Sequence, residues 1–276
     1  GVQTCALPIF SKTGNNTVIF YPSNTYTGST TISEGTLQTP TITMTTNTVG
    51  GLGNNSSIIL DGGTLSYSNV TGTTDRPIIL ANAKNSSLEI MTSTTACTFT
   101  GVFSGSGSLT KKGPGTLILA ANNTFTGAVT VAAGTVSLAS IGASGASGNA
   151  GAGSEIVLSG GSLIYSGATA STNRNFTLTN ATTSKINVST ASVVLTASGI
   201  MSGAGSLKVA NIASGTLELT GSNTYTGVTN LTSGILKVSQ LANGGVSSSI
   251  GAASSSAANL VFGTGTFLYT GGKIGR

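Results

Sequence analysis

Six carboxylates, Glu34, Asp61, Asp75, Glu89, Glu155 and Glu218, are the groups in this 276-residue sequence that could run acid–base chemistry, and there is no histidine to assist them. Cleaving a glycosidic bond needs two such groups held close together, or one beside a metal or a basic proton acceptor. Glu34 and Asp61, 27 residues apart, would meet if they stood on adjacent turns of a coil. The positions aligned with them by the chain's internal repeat are Ala133 and Ser159, so the pair does not recur, although a single active site need not. The acids are read as solvated surface charges, and no catalytic residue is assigned.

Other chemistries find less. Without histidine and with only Cys5 and Cys97, zinc has no ligand set, and the GGxGxD calcium nonapeptide is absent. GSGSL at Gly105 resembles a phosphate-binding loop but lacks the GK[ST] ending, so its glycines serve turns. No cofactor and no metal are expected. Cys97 aligns with Leu195, an apolar strand position, and reads as a small buried hydrophobe rather than a nucleophile. Arg76 and Arg174 also align. A recurring charge could read a ligand, but the favoured reading is a guanidinium that ties a turn carbonyl or snorkels over an edge. Lys111 and Lys112 read as a turn or an edge guard against strand addition.

What must position these residues is a chain of unusual composition: 6% charged, 40 glycines, and Ser, Thr and Asn in place of charges. Mean hydropathy is +0.29, and Leu, Ile and Val recur in short alternating runs, so the chain can bury a core and is not read as disordered. No apolar run approaches the roughly 18 residues of a membrane span. The basic residues stand singly apart from Lys111 and Lys112, which excludes an electrostatic footprint for nucleic acid.

Residues 1–9, GVQTCALPI, resemble the translation of a common short-read sequencing adapter, and residues 273–276, KIGR, resemble the opposite adapter read outward. Both are set aside from fold reasoning. Without Lys273 and Arg276, nine basic residues face six acidic ones, so the net charge falls from +5 to +3. Without Cys5, Cys97 has no partner for an internal disulfide.

Residues 10–272 are organised by repetition. NTYTG begins at Asn24, NTFTG at Asn123 and NTYTG at Asn223, 99 and 100 residues apart. Each is followed by a matching segment: TTISEGTL from Thr30, VTVAAGTV from Val129, TNLTSGIL from Thr229. IILDGGTLSYS from Ile58 matches IVLSGGSLIYS from Ile156 and, less closely, LVFGTGTFLYT from Leu260. GVFSGSGSLTKKGPGTLIL from Gly101 matches GIMSGAGSLKVANIASGTLEL from Gly199, and FSKTGNNTVIF from Phe10 matches LTKKGPGTLIL from Leu109. There are about two and a half copies of a 99-residue unit.

Inside each copy, short strands of period two, such as TLILA from Thr116 and TVSLA from Thr135, alternate with Gly/Asn/Ser turns, and helical periodicity is missing. Pro22, Pro77 and Pro114 fall at strand edges, where a ladder donor can be spared. Repetition selects a β-solenoid over a sandwich or barrel, because stacked rungs place like residues over like. Coils of ~20 to 25 residues put four or five in each copy, and spacing of ~4.8 Å makes a rod of roughly 50 to 60 Å. Tyr67, Tyr165 and Tyr269, and likewise Tyr26, Phe125 and Tyr225, read as aromatic fillers between coils. Asn24, Asn123 and Asn223 satisfy backbone groups that leave the ladder. Gly28, Gly127 and Gly227 supply a backbone conformation closed to other residues.

The composite from Gly105 to Leu138, GSGSLTKKGPGTLILAANNTFTGAVTVAAGTVSL, resembles the autotransporter-associated β-strand repeat, also called the passenger-associated transport repeat. Gly203 to Val238 resembles it nearly as well, and Phe10 to Gln38 lacks the leading Gly-Ser portion. The resemblance implies an all-β, single-stranded right-handed parallel β-helix, a non-enzymatic role in folding and export of a surface passenger, and a C-terminal outer-membrane translocator barrel as partner. Two alternatives stay open: an adhesin-type surface for glycans or neighbouring cells, and a polysaccharide lyase or hydrolase scaffold. Ice binding through TITMTT from Thr41 would need a Thr-x-Thr ladder on successive coils, and SIGASGAS in the second copy breaks it.

Overall fold

The computed structural model describes residues 10–21, 24–44, 51–53, 57–179, 182–211 and 214–272. Both adapter-like ends, with Cys5, lie outside these, as do Pro22, Thr45 and Thr46. The chain is an all-β parallel solenoid: four parallel sheets of five, nine, nine and five strands, with one 3-10 turn at Ala257–Asn259 as the helical element among the described residues.

Local sequence accounts for the strands. In Thr116–Leu119, Thr135–Leu138 and Ser162–Tyr165, alternate residues are buried, because period-two side chains point to opposite faces of a pleated strand. In-register stacking carries the inward residues into continuous columns. One column runs Cys97, Leu117, Val136, Leu163, Ile186, Val209, and its neighbour runs Phe99, Leu119, Leu138, Tyr165, Val188. All of these are buried, and each contributes roughly 1.5–3 kcal/mol of hydrophobic stabilisation.

Turn glycines fix where strands end. Gly35, Gly134 and Gly234, aligned across copies, adopt φ of 62°, 62° and 74°, a left-handed region that costs other residues about 1–2 kcal/mol. Gly127 and Gly227 answer a different need from the one their sequence suggests. They lie outside that region, but a Cβ on Gly127 would strike the backbone of Gly107, and one on Gly227 that of Gly205. Here glycine allows two coils to approach rather than a special φ.

The strand order also gives the number of coils per copy. Phe10–Lys12, Thr30–Ile32, Ile58–Leu60, Ile78–Leu80 and Phe103–Gly105 stack on one face, four turns in all. Ser108–Lys112, the counterpart of Phe10–Lys12, then lies in the next sheet, and its third-copy counterpart Ser206–Ala210 lies in the one after. The first face does not end at Gly105. Thr124 N donates to Phe103 O at 2.8 Å, Ala152 N to Phe125 O at 2.7 Å, and Thr172 Oγ1 to Gly142 O at 2.7 Å. The two five-stranded sheets therefore share one face, with the NTFTG word and the loop after it between them. With three faces, a 99-residue copy makes four and a third turns, about 23 residues each, and each copy starts one face further round than the last.

Candidate functional site

The corner built from NTxTG and its following loop takes the place of a strand once per copy, so any recurring chemistry must be sought there. Asn123 and Asn223 are buried. Oδ1 of Asn123 accepts from Phe103 N at 2.8 Å while its Nδ2 donates to Asn149 O at 2.7 Å. Asn223 repeats this with Met201 N and Ser249 O, at 2.8 and 2.7 Å. Asn24 Nδ2 donates to Gly51 O at 2.9 Å. These amides hold backbone groups that leave the ladder, where an unmet group would cost about 1–3 kcal/mol.

The aromatic of each word is an inward filler: Phe125 and Tyr225 are fully buried. Tyr225 Oη lies 2.7 Å from Thr229 Oγ1, and Tyr26 Oη lies 2.6 Å from Thr30 Oγ1. Where the second copy has Phe125, it has Val129 in place of the threonine. Burial pushes the phenols of Tyr67 and Tyr225 well above the ordinary range, so both stay neutral.

Over the corner sits an arginine. Arg174 is fully buried. Its Nε donates to the Ile141 carbonyl at 3.1 Å and Nη2 to those of Ala146 and Gly151 at 3.1 and 2.6 Å, while Nη1 reaches Gly153 O. Arg76 is equally buried, with Nη2 2.5 Å from Gly53 O. Thr74 and Thr172 brace the two alike, each hydroxyl 3.3 Å from the arginine's backbone N. The guanidinium thus ties turn carbonyls, as the favoured sequence reading has it. Desolvation lowers the pKa of both arginines.

Of the two readings of the lysine pair, the turn stands and the edge guard does not. Ser108–Lys112 lies inside a nine-stranded sheet, not at an edge, so Lys111 guards nothing. It is fully buried, and its Nζ donates to the carbonyls of Lys112, Gly113 and Ala133 at 2.7, 2.7 and 3.3 Å. Lys12 holds the matching turn of the first copy through Thr13 O at 3.0 Å and Glu34 O at 3.3 Å. The third copy has Val209 at this position, and Asn211 does the tying instead, donating to Gly215 O at 3.0 Å and Ile235 O at 2.9 Å. Of the pair, only Lys112 is exposed. Burial pulls the Lys111 ammonium down to about 8, against three acceptors that favour its charged form.

The six acids do not converge. Ile32 pairs with Leu60, so Glu34 and Asp61 do stand on adjacent coils, but their carboxylates turn opposite ways. Glu34 Oε2 accepts from Gly14 N on the coil below at 3.0 Å, while Asp61 takes Asn82 at 2.9 Å and Lys84 at 3.2 Å on the coil above. Glu89, Glu155 and Glu218 each accept from a hydroxyl of a neighbouring rung: Ser66 at 2.9 Å, Thr177 at 2.6 Å and Thr196 at 2.6 Å. Glu218 also pairs with Lys237 at 2.8 Å, and these two partners hold its carboxyl below the usual range. Among the described residues no group of three or more acids or cysteines could hold a metal. Cys97 is buried beneath Val70 O, 3.5 Å from Sγ, and burial raises its thiol to about 11.

Fold and corner together define a repeat β-helix whose recurring unit is strand, NTxTG word, strand, glycine turn, strand. The passenger-associated-transport-repeat family model matches this unit three times, at residues 10–39, 109–138 and 214–238, so the chain carries three passenger-associated-transport repeats. It is also similar to the adhesin BmaC autotransporter of Brucella suis biovar 1 (strain 1330), 37% identical over 278 residues, an alignment covering 96% of this chain and 8% of that protein. No solved structure matches.

Proposed function

We propose that this chain is a non-enzymatic length of an exported, surface-displayed passenger, whose stepwise stacking helps draw the passenger outward, and that a translocator barrel follows it in the whole protein. The observation that carries this reading is the templating: in the second matched segment Val129–Val131 and Thr135–Leu138 lie in register on Ser108–Lys112 and Thr116–Leu119 of the preceding coil, and the buried amide of Asn123 closes the corner. Folding of that kind adds one rung at a time and needs only the rung before it. The likeness to an autotransporter, of which this length spans 8%, supports surface display. No helix among the described residues is long and apolar enough to cross a membrane.

The test deletes one turn without changing face. Removing Thr116–Gly134 takes out a strand, the NTFTG word and a second strand, and joins Ser108–Lys112 to Thr135–Leu138 in the normal order of faces. As control, removing residues 162–184 takes one turn from outside the matched segments. In the full-length protein, slower appearance at the surface is expected for the first deletion than for the second. Equal rates would reduce the matched turns to spacer. An adhesin surface is the second reading, supported by the relative's name; a glycan array showing no binding by the folded rod would remove it.

A further inference from the structure

One wall of the rod carries a pair of cations and no carboxylate. Lys185 and Lys208 stand in register on adjacent rungs of the nine-stranded sheet that holds Thr116–Leu119, ~4.8 Å apart along the rod, and both are half-buried. Glu34, Asp61 and Asp75 lie off its strands, and Glu89, Glu155 and Glu218 belong to strands of other walls. Among the described residues the ion pairs are Lys84 with Asp61 and Lys237 with Glu218, so neither Lys185 nor Lys208 has an acidic partner. The first copy builds the same positions without charge. Its Ser87 and Thr110 are in register, and they are the counterparts of Lys185 and Lys208 98 residues earlier. Two residues further along, Glu89 is in register with Lys112, where the later copy has Asn187 and Ala210. Where one copy has two hydroxyls beside a carboxylate, the other has two lysines beside an amide.

We propose that Lys185 and Lys208 form the anion subsite of a docking wall for an acidic glycan, one carboxylate or sulfate of which bridges the two ammoniums while the sugar chain lies along the rod. Like charges directly opposite on neighbouring strands repel, and an anion between them replaces the repulsion with two charge-assisted hydrogen bonds. The same outward column continues as Thr116, Thr135 and Ser162 on one side and Asn230 on the other. These are neutral donors and acceptors spaced by close to the length of a sugar unit. Nucleic acid asks for a row of cations to meet a row of phosphates, and a lipid surface asks for a basic cluster. A single cationic pair in a column of hydroxyls and an amide fits a chain with neutral sugars between its charges. An acidic glycan is a ligand class within the adhesin reading, on which the proposal rests.

The probes are hexasaccharides of hyaluronan, which carries carboxylates on alternate sugars, and of chondroitin 4-sulfate, which adds sulfates; amide NMR of the whole 276-residue chain at low ionic strength is the readout. Saturable shifts are expected at Ser162, Lys185, Lys208 and Asn230. Binding of both probes assigns the carboxylate as the bridging anion, and binding of the second alone assigns the sulfate. The double variant Lys185→Gln/Lys208→Gln should bind at least tenfold more weakly, whereas Lys112→Gln, on another wall, should bind as the parent does. Because the double variant relieves a repulsion, its urea midpoint at low salt should match or exceed the parent's, and the parent titration decides alone if it does not fold. Shifts centred elsewhere on the rod, affinity unchanged in the folded double variant, or affinity matched by inorganic sulfate or duplex DNA at equal charge concentration overturns the proposal. A rod that binds neutral glycans but neither probe keeps the adhesin reading and loses the acidic-glycan wall; a rod that binds no glycan loses both.

Discussion

Consider the buried hydroxyl pair of the third corner. Tyr225 Oη lies 2.7 Å from Thr229 Oγ1, which lies 3.2 Å from Ile250 O, a relay in which the phenol donates to the threonine and the threonine to the carbonyl. Thr229→Val keeps the shape but strips the phenol of its acceptor and the carbonyl of its donor, a loss of about 2 kcal/mol. Tyr225→Phe leaves the threonine bonded to Ile250 O and removes one accepted bond, about 1 kcal/mol. The double variant recreates Phe125 and Val129 of the second copy, where both side chains are buried, and should lose only about 1 kcal/mol, since the phenol that needed the threonine is gone. The two sites are then coupled by about 2 kcal/mol. Because a solenoid need not unfold in one step, the assay is native-state hydrogen exchange at Tyr225 N and Ala252 N, which bond to Met201 O and Tyr225 O. A coupling within about 0.3 kcal/mol of zero, the scatter of independent sites, would refute the reasoning.

Two further outcomes follow from burial. With Cys5→Ser to silence the other thiol, Cys97 should react with a disulfide reagent at pH 8 at least a hundredfold more slowly in the folded chain than in urea, since its thiol is raised to about 11 and only the thiolate attacks; equal rates would mean that the coil opens freely there. Stability should climb from about pH 8 to about pH 9, level off toward pH 10, where the raised thiol of Cys97 offsets the gain, and then fall. Lys111, its folded pKa lowered to about 8, binds fewer protons folded than unfolded in that window, whereas Tyr67 and Tyr225, raised above the ordinary phenol value near 10, retain protons that the unfolded chain gives up beyond it. Urea midpoints at pH 8, 9, 10 and 11 check this; a curve flat to pH 11 would contradict the burial of the phenols.

Much of this architecture is legible in the residues. Repeated words and period-two runs give a solenoid with four or five coils per copy, and Cys97 aligned with Leu195 gives an inward thiol. The phase of the copies was not legible, because a 99-residue period yields a number of turns only when coil length is known, and the loop of residues 139–154 adds length without adding a strand. For Lys111 the sequence left a turn and an edge guard both open, because adjacent lysines do not tell which of them faces inward, and the turn that follows gathers carbonyls around one of them. Gly127 and Gly227 misled because a glycine word looks the same whether it serves φ or clearance. The Tyr–Thr relay left a readable trace, Tyr26 with Thr30, Phe125 with Val129 and Tyr225 with Thr229, two substitutions four residues apart that change together.

The extra third of a turn in each copy has a consequence for inheritance. Tandem copies are gained and lost by recombination, and here one event rotates everything beyond it by a third of a revolution about the rod. Only a change of three copies, thirteen turns or about 62 Å at ~4.8 Å per rung, restores the heading. A cluster of side chains repeated in every copy steps around the rod by a third of a revolution each time, so a flat partner lying along it meets every third one. Variation in copy number therefore aims whatever the rod carries as well as setting how far it reaches.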